Sequence, residues 1–147
     1  MINYASVVIE MKIGRKSKPA LALVAFSLMA TLLASCSGAN VKVSNVSADK
    51  FQAKIKDSGV IVLDVRTPDE FAAGHIANSI NIDVEGKTFD QQIGQLDKSA
   101  EYAVYCRSGR RSAIAVEKMG QAGFTKLTNL ESGINEWVAA GYPLVTS

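Results

Sequence analysis

The sequence predicts an α/β domain with a parallel-rich central sheet and helices on both of its faces. Three observations carry this. Short apolar runs such as Val60-Ile61-Val62-Leu63-Asp64-Val65 and Tyr102-Ala103-Val104-Tyr105 have the length and β-branched or aromatic content of buried strands. Between them stand segments with helix-start and helix-stop signals. Strands that alternate with helices assemble into parallel sheets covered on both sides. The chain of 147 residues, 48% hydrophobic and 20% charged, suits one domain held by packing. Its two cysteines are too few for a disulfide framework, and its charges are too balanced for a disordered chain. It contains no internal repeat and no low-complexity tract.

Taken in order, the first element is not part of that domain. Lys12, Arg15, Lys16 and Lys18 precede an apolar run from Ala20 to Leu33, interrupted only by Ser27 and Thr31. As a helix the run would be roughly 21 Å long, short of the ~30 Å hydrocarbon core of a bilayer. It shows no polar face, which argues against an amphipathic helix. A basic start, a short apolar stretch and small residues after it are the pattern of a secretory signal. Its end, Leu33-Ala34-Ser35-Cys36, resembles a bacterial lipobox. That resemblance implies acylation of Cys36, which becomes the first residue of the mature chain; a plain secreted protein is the alternative. Met11-Lys12 makes a better signal start than Met1, because Val7, Val8, Ile9 and the acidic Glu10 do not fit a basic leader. The expected organisation is a signal over 1–35, a lipidated tether over 36–45 and the α/β domain over 46–147.

The tether is small and polar and includes a short edge strand near Val41–Val43. Ser47 is placed to cap a helix over Ala48–Lys56, which Ser58-Gly59 ends. Val60–Val65 is a buried strand. Thr67-Pro68-Asp69-Glu70 combines an N-cap, a Pro at the first helical position and a Glu three residues after the cap, the pattern of a capping box. Ile80–Ile82 is a strand, Phe89–Leu96 a short helix, and Tyr102–Tyr105 a buried strand that ends at Cys106. A helix over Ser112–Ala122 closes at Gly123, a strand follows over Leu127–Leu130, and a last helix over Ile134–Ala140 closes at Gly141.

The chemistry concentrates in Cys106-Arg107-Ser108-Gly109-Arg110-Arg111-Ser112. This loop joins a strand to a helix, at the carboxyl edge where open α/β sheets bind ligands. Backbone N–H groups of a loop that rolls into a helix point inward, and the helix dipole adds positive charge. Three arginines fall within five residues, and Arg66 is the only other arginine after residue 35. A helix N-terminus and adjacent cations favour a thiolate over a thiol. Without the arginines and the glycine, Cys106 would read as a small buried hydrophobe.

With the loop in view, the chain resembles the single-domain rhodanese (sulfurtransferase) family. The resemblance rests on Leu63-Asp64-Val65-Arg66-Thr67-Pro68-Asp69-Glu70-Phe71, on Gly74-His75-Ile76 with Asn78-Ser79-Ile80-Asn81-Ile82, and on the Cys106 loop. Gly133-Ile134-Asn135-Glu136-Trp137 and Gly141-Tyr142-Pro143-Leu144 complete an ordered set that runs from about Val46 to Leu144. It implies that the Cys106 thiolate takes the outer sulfur of thiosulfate or a persulfide. The resulting Cys106 persulfide then gives that sulfur to a thiol or to cyanide, with no further cofactor. It implies that the amides from Arg107 to Ser112 stabilise the anionic persulfide. The side chains of Arg107, Arg110 and Arg111 would attract a small anionic donor, with Arg107 or Arg111 in contact. Asp64, Arg66, Glu70 and His75 are read as support for the loop, with Arg66 and Glu70 placed to pair and Asp64 to meet loop amides.

Two other classes remain open. One is a rhodanese-like carrier or binding module that holds sulfur without turnover. The other is a phosphatase or arsenate reductase, which would need an arginine six positions after the cysteine. Ser112 occupies that position. His75, the only histidine, invites a Cys–His dyad, but its motif reads as packing. Trp137 reads as core. No metal site is expected from so few soft ligands, and Lys50, Lys54 and Lys56 lack the interleaved aromatics of a nucleic-acid surface. A monomer is expected, anchored in the cell envelope through Cys36 and facing outside the cytoplasm. There a lone thiol would need a redox or thiol partner. Residues 36–147 carry 12 basic and 13 acidic side chains, a net charge of −1, so the positive charge that matters is local.

Overall fold

The computed structural model describes residues 41–146, and the expectations for the signal, the Met11 start and Cys36 fall outside them. The elements run β1 (Lys42–Val46), α1 (Ala48–Lys54), β2 (Val60–Asp64), α2 (Pro68–Ala73), β3 (Ser79–Asn81), α3 (Phe89–Ile93), β4 (Glu101–Tyr105), α4 (Arg110–Gln121), β5 (Lys126–Leu130) and α5 (Gly133–Ala139). The five strands form one sheet in the order β1-β5-β4-β2-β3, and all four pairings are parallel. A single antiparallel bridge between His75 and Val145 pins the C-terminal segment. Among the described residues, no helix is long and apolar enough to cross a membrane.

Strand side chains alternate between two cores because the period of a strand is two. Leu63, Tyr102, Val104 and Leu127 pack with Ala115, Val116 and Met119 of α4 and with Phe89 and Ile93 of α3. Val62, Ala103, Tyr105 and Leu130 pack on the opposite face with Phe51 of α1 and Ile134 and Trp137 of α5. Phe51 meets Tyr105 and Trp137 edge-on, with centroids 6.3 and 6.2 Å apart. Trp137 donates its indole N–H to the Pro143 carbonyl at 3.0 Å, so it is core, as read from the sequence.

Element boundaries shift for local reasons. The first strand extends to Val46 and pairs with β5 from Lys42–Lys126 to Val46–Leu130. Residues 42–45, read as tether, therefore belong to the sheet. Helices α1 and α3 stop short of Lys56 and Leu96 because their last turns tighten into i→i+3 bonds: Lys56 and Asp57 donate to Ala53 and Lys54, and Gln95 and Leu96 to Gln92 and Ile93. Ser47 adopts the extended N-cap backbone without a side-chain bond. At Thr67 the capping box is complete. At the site itself, α4 starts at Arg110, two residues before the predicted Ser112. Gly109, at φ +92°, turns the chain straight into the helix.

Candidate active site

The parallel sheet brings the carboxyl ends of β2, β3 and β4 side by side, with Asp64 in register with Tyr105 on one flank and Asn81 on the other. Cys106 follows β4 directly and is only 1% exposed. Its Sγ accepts a hydrogen bond from the Gly109 N–H at 3.1 Å, and the Ser112 hydroxyl stands 3.5 Å away. That hydroxyl is also 3.0 Å from the Gly109 carbonyl, so its one proton has two acceptors within reach. Burial pushes the Cys106 thiol up, but donation from the Ser112 hydroxyl and from the amides of Ser112, Ser108 and Gly109 outweighs it and holds the thiol below its usual range. The sequence reading credited the helix N-terminus and the adjacent cations. The amides where the loop enters the helix, with the Ser112 hydroxyl, are the main donors to the sulfur, and the charge of Arg111 also faces Cys106.

The loop is clamped from outside by the start of α5. Ile134 donates its N–H to the Cys106 carbonyl at 2.8 Å and Asn135 to the Arg107 carbonyl at 3.2 Å. Both N–H groups belong to a first helical turn, where no intrahelical acceptor exists. Gly133, at φ +65°, permits this approach: a Cβ there would sit 2.5 Å from the Arg107 carbonyl carbon. Gly109 is packed as tightly, and its Cβ would lie 1.7 Å from the Glu131 carbonyl oxygen.

The three loop arginines have different surroundings. Arg111 grips Glu70 through two bonds, Nη1 to Oε2 at 2.7 Å and Nη2 to Oε1 at 2.9 Å, and its side chain is 12% exposed. Arg110 pairs at the surface with Glu85 at 3.0 Å, and Glu85 also stands 3.8 Å from Arg111. Arg107 is exposed, as is Ser108, and neither side chain makes a hydrogen bond among the described residues. Of the two arginines expected to meet a donor, Arg107 is thus the one left with its guanidinium open to solvent. Arg111 braces the loop.

The expected Arg66–Glu70 pair does not form. Arg66 reaches back instead, its Nε 3.0 Å from both Asp64 oxygens and its Nη2 in contact with Asp64 Oδ2 at 2.6 Å and with the Gly74 carbonyl at 2.7 Å. Asp64 also accepts the Arg66 N–H at 2.9 Å. The amide it holds therefore belongs to its own turn and not to the Cys106 loop. Asn81 completes this lock by donating to the Asp64 and Arg66 carbonyls. His75 stacks on Phe71 with centroids 3.8 Å apart, and its Nδ1 lies 3.0 Å from the Phe71 carbonyl oxygen. No described hydrogen bond connects it to the Cys106 loop. Glu85, and the role of the Gly133 turn at the loop, escaped the sequence reading because both reach the loop only through the fold, Glu85 from 25 residues away.

Arg111 holds the Glu70 carboxyl at about 2, well below the usual carboxylate range, with further donation from Thr67. A carboxylate depressed in the folded state stabilises fully above its unfolded pKa, here 4.5, and loses that contribution as pH falls through the folded value of about 2. Glu70→Gln is therefore expected to cost about 1–2 kcal/mol at neutral pH, the shift being discounted for partial exposure. The variant should also lose less stability than the parent between those two pH values. Equilibrium unfolding in urea across that window measures both.

Comparison with known proteins agrees with this geometry. Residues 47–140 match the family described as Rhodanese-like domain. The chain is 29% identical over 104 residues to a sulfurtransferase of Allochromatium vinosum, a match spanning 70% of this chain and 95% of that protein. It is 37% identical over 114 residues to thiosulfate sulfurtransferase 18 of Arabidopsis thaliana, spanning 69% and 84%. Among solved structures, it is similar to a rhodanese-related protein from Thermoplasma volcanium, with a TM-score of 0.63 and 38% identity over 71% of this chain and 99% of that one.

Proposed function

Because the chain belongs to the rhodanese-like domain family of sulfurtransferases, we propose that it moves sulfane sulfur from thiosulfate or a persulfide to a thiol or to cyanide. The supporting observation is the Cys106 sulfur seated in donors, with the Gly109 N–H at 3.1 Å and the Ser112 hydroxyl at 3.5 Å. The Cys106 thiolate attacks the outer sulfur of thiosulfate. A new S–S bond forms, the old one breaks, and sulfite leaves with its electron pair. The terminal sulfur of the Cys106 persulfide now carries the negative charge, and loop amides, with those of Ser108, Gly109 and Ser112 already near Sγ, would stabilise it. An acceptor thiolate or cyanide then attacks that terminal sulfur, and the electron pair returns to Cys106. Arg107, exposed at the loop, is the natural first contact for an anionic donor.

The phosphatase reading loses ground on the same residues. Ser112 stands where a phosphate-clamping arginine would, and Arg111 is already committed to Glu70. Outside this domain, the lipobox resemblance at Cys36 supports an envelope protein anchored by acyl chains. Two or more such chains give a stable anchor, whereas one gives only marginal binding. Cys106 is the free cysteine of the described domain, so in an oxidising compartment its persulfide needs an external thiol or redox partner.

Thiocyanate formation from thiosulfate and cyanide tests the reaction. The parent protein is expected to turn over and Cys106→Ala to fall to the uncatalysed background. Equal rates would end the proposal. A single sulfur atom added to Cys106 by intact mass, without turnover, would point to a carrier.

A further inference from the structure

A second charged site lies at the opposite edge of the sheet from Cys106. A cleft of about 460 Å³ opens there, with Lys42 of β1, Lys50 and Lys54 of α1, and Lys126 and Glu101 at the starts of β5 and β4 in its lining. Lys42, Lys126 and Glu101 are the first residues of their strands, and the register sets Lys42 beside Lys126 and Lys126 beside Glu101. Glu101 is engaged by Lys54 at 2.9 Å, and Lys54 also meets Asp57 at 3.2 Å. Among the described residues, Lys42, Lys50 and Lys126 make no ion pair. Lys56 and Lys98 lie in the connections that enter β2 and β4, at the same amino edge of the parallel sheet. Like charges set side by side on adjacent strands are unfavourable unless an anion joins them. This cluster exists on a domain whose overall charge is −1, so it is a local feature.

We propose that this lysine-lined edge docks on an anionic lipid surface and turns the Cys106 loop away from it. The choice of a membrane over a dissolved anion rests on the acylation of Cys36 proposed above. Cys36 precedes Lys42 by six residues, a chain that reaches at most about 20 Å when fully extended. An acylated Cys36 therefore keeps Lys42 within about 20 Å of the membrane, close enough for the cleft to reach headgroups whose charge it complements. Each lysine close to such a surface strengthens binding roughly fivefold, and the attraction fades within ~8 Å at physiological salt. The five-residue β4 separates this edge from Cys106 by about 17 Å. Docked this way, the thiol faces the aqueous side, where donor and acceptor arrive.

The test uses the domain from Ser37 onward, without Cys36. This domain contains both cores, and the match to it spans 99% of the Thermoplasma volcanium chain, which folds without further sequence. Sedimentation with vesicles of phosphatidylcholine containing phosphatidylglycerol is expected to pull the domain down, and pure phosphatidylcholine is not. Reversing Lys42, Lys50 and Lys126 to Glu should weaken that binding at least ~tenfold while thiocyanate formation continues, which shows the variant folded. Reversing Lys87 and Lys118, which lie outside the cleft, should leave binding in place. Equal binding to both vesicles, or no effect of the triple reversal, would overturn the proposal. Release by inorganic phosphate at an ionic strength where chloride does not release it would make the cleft a small-anion site and overturn the lipid assignment. Acylation is judged separately, by whether Cys36→Ser moves the full chain from the membrane fraction to the supernatant, so the two readings fail independently.

Discussion

Gly109→Ala is expected to lower thiocyanate formation by at least ~100-fold and to reduce Tm by more than ~10 °C. The reason is geometric. Gly109 has φ +92°, a left-handed conformation that alanine adopts only with strain, and the new Cβ would fall 1.7 Å from the Glu131 carbonyl oxygen. That neighbour is backbone, so no side chain can swing aside. Either the Cys106 loop or the turn before α5 must move by more than an ångström. Backbone strain of this kind costs ~1–3 kcal/mol before the clash is counted. Movement would also withdraw the Gly109 N–H from Sγ, where it stands at 3.1 Å. The sulfur would lose a donor that favours its thiolate. Thermal unfolding and the cyanide assay read the two consequences separately. A variant with parental Tm and rate would mean that the loop does not need its observed packing.

Asp64→Leu is expected to cost ~3–5 kcal/mol, because it leaves the Arg66 guanidinium buried without its partner. The Arg66 side chain is 7% exposed and Asp64 is fully buried. Burial acts to lower the Arg66 pKa, and the Asp64 carboxylate more than restores it. Removing the carboxylate leaves that burial uncompensated, and it also frees the Arg66 N–H that holds the turn after β2. The double variant Asp64→Leu, Arg66→Met should recover more than half of the loss, since an apolar pair of similar size often replaces a buried ion pair at little cost. Urea denaturation of the parent and the two variants measures this. A single variant within ~1 kcal/mol of the parent would show that the pair is not the keystone of this corner. Activity should follow stability only loosely, because Asp64 makes no described hydrogen bond to the Cys106 loop.

The fold was legible because its signals are local. The runs at 60–65 and 102–105 are too short and too apolar to be anything but buried strands, and Thr67-Pro68-Asp69-Glu70 encodes its own helix start. Helix ends were less legible, since the last turns of α1 and α3 tighten through backbone bonds that no residue type announces. The start of α4 was misplaced for a related reason. Gly109 read as a loop residue, whereas its left-handed φ makes it the first hinge of the helix.

The site divides in the same way. Cys106, its glycine and its arginines are consecutive, so their chemistry could be read from the chain: a nucleophile, a cradle of amides and a cationic rim. Which cation does what could not be. Arg66 and Glu70 stand at helical pairing distance, yet Arg66 turns to Asp64 and Glu70 to Arg111, 41 residues on. An ion pair goes to whichever partner is buried beside it with two bonds to offer, and sequence spacing does not contain that information. The same holds for the lysines. Along the chain, Lys42, Lys50 and Lys126 are scattered surface residues, and only strand register sets Lys42 beside Lys126.

By itself the sequence determined the α/β class, the strand–loop–helix that carries Cys106, and the likeness to sulfurtransferases, because each is written in contiguous residues. Tertiary structure alone decided which hydrogen-bond donors reach the Cys106 sulfur, that α5 clamps the loop, and that Arg107 is the loop arginine left without an ion-pair partner among the described residues. Those outcomes depend on distances between residues far apart in the chain, and such distances exist only once the sheet has brought its strand ends together.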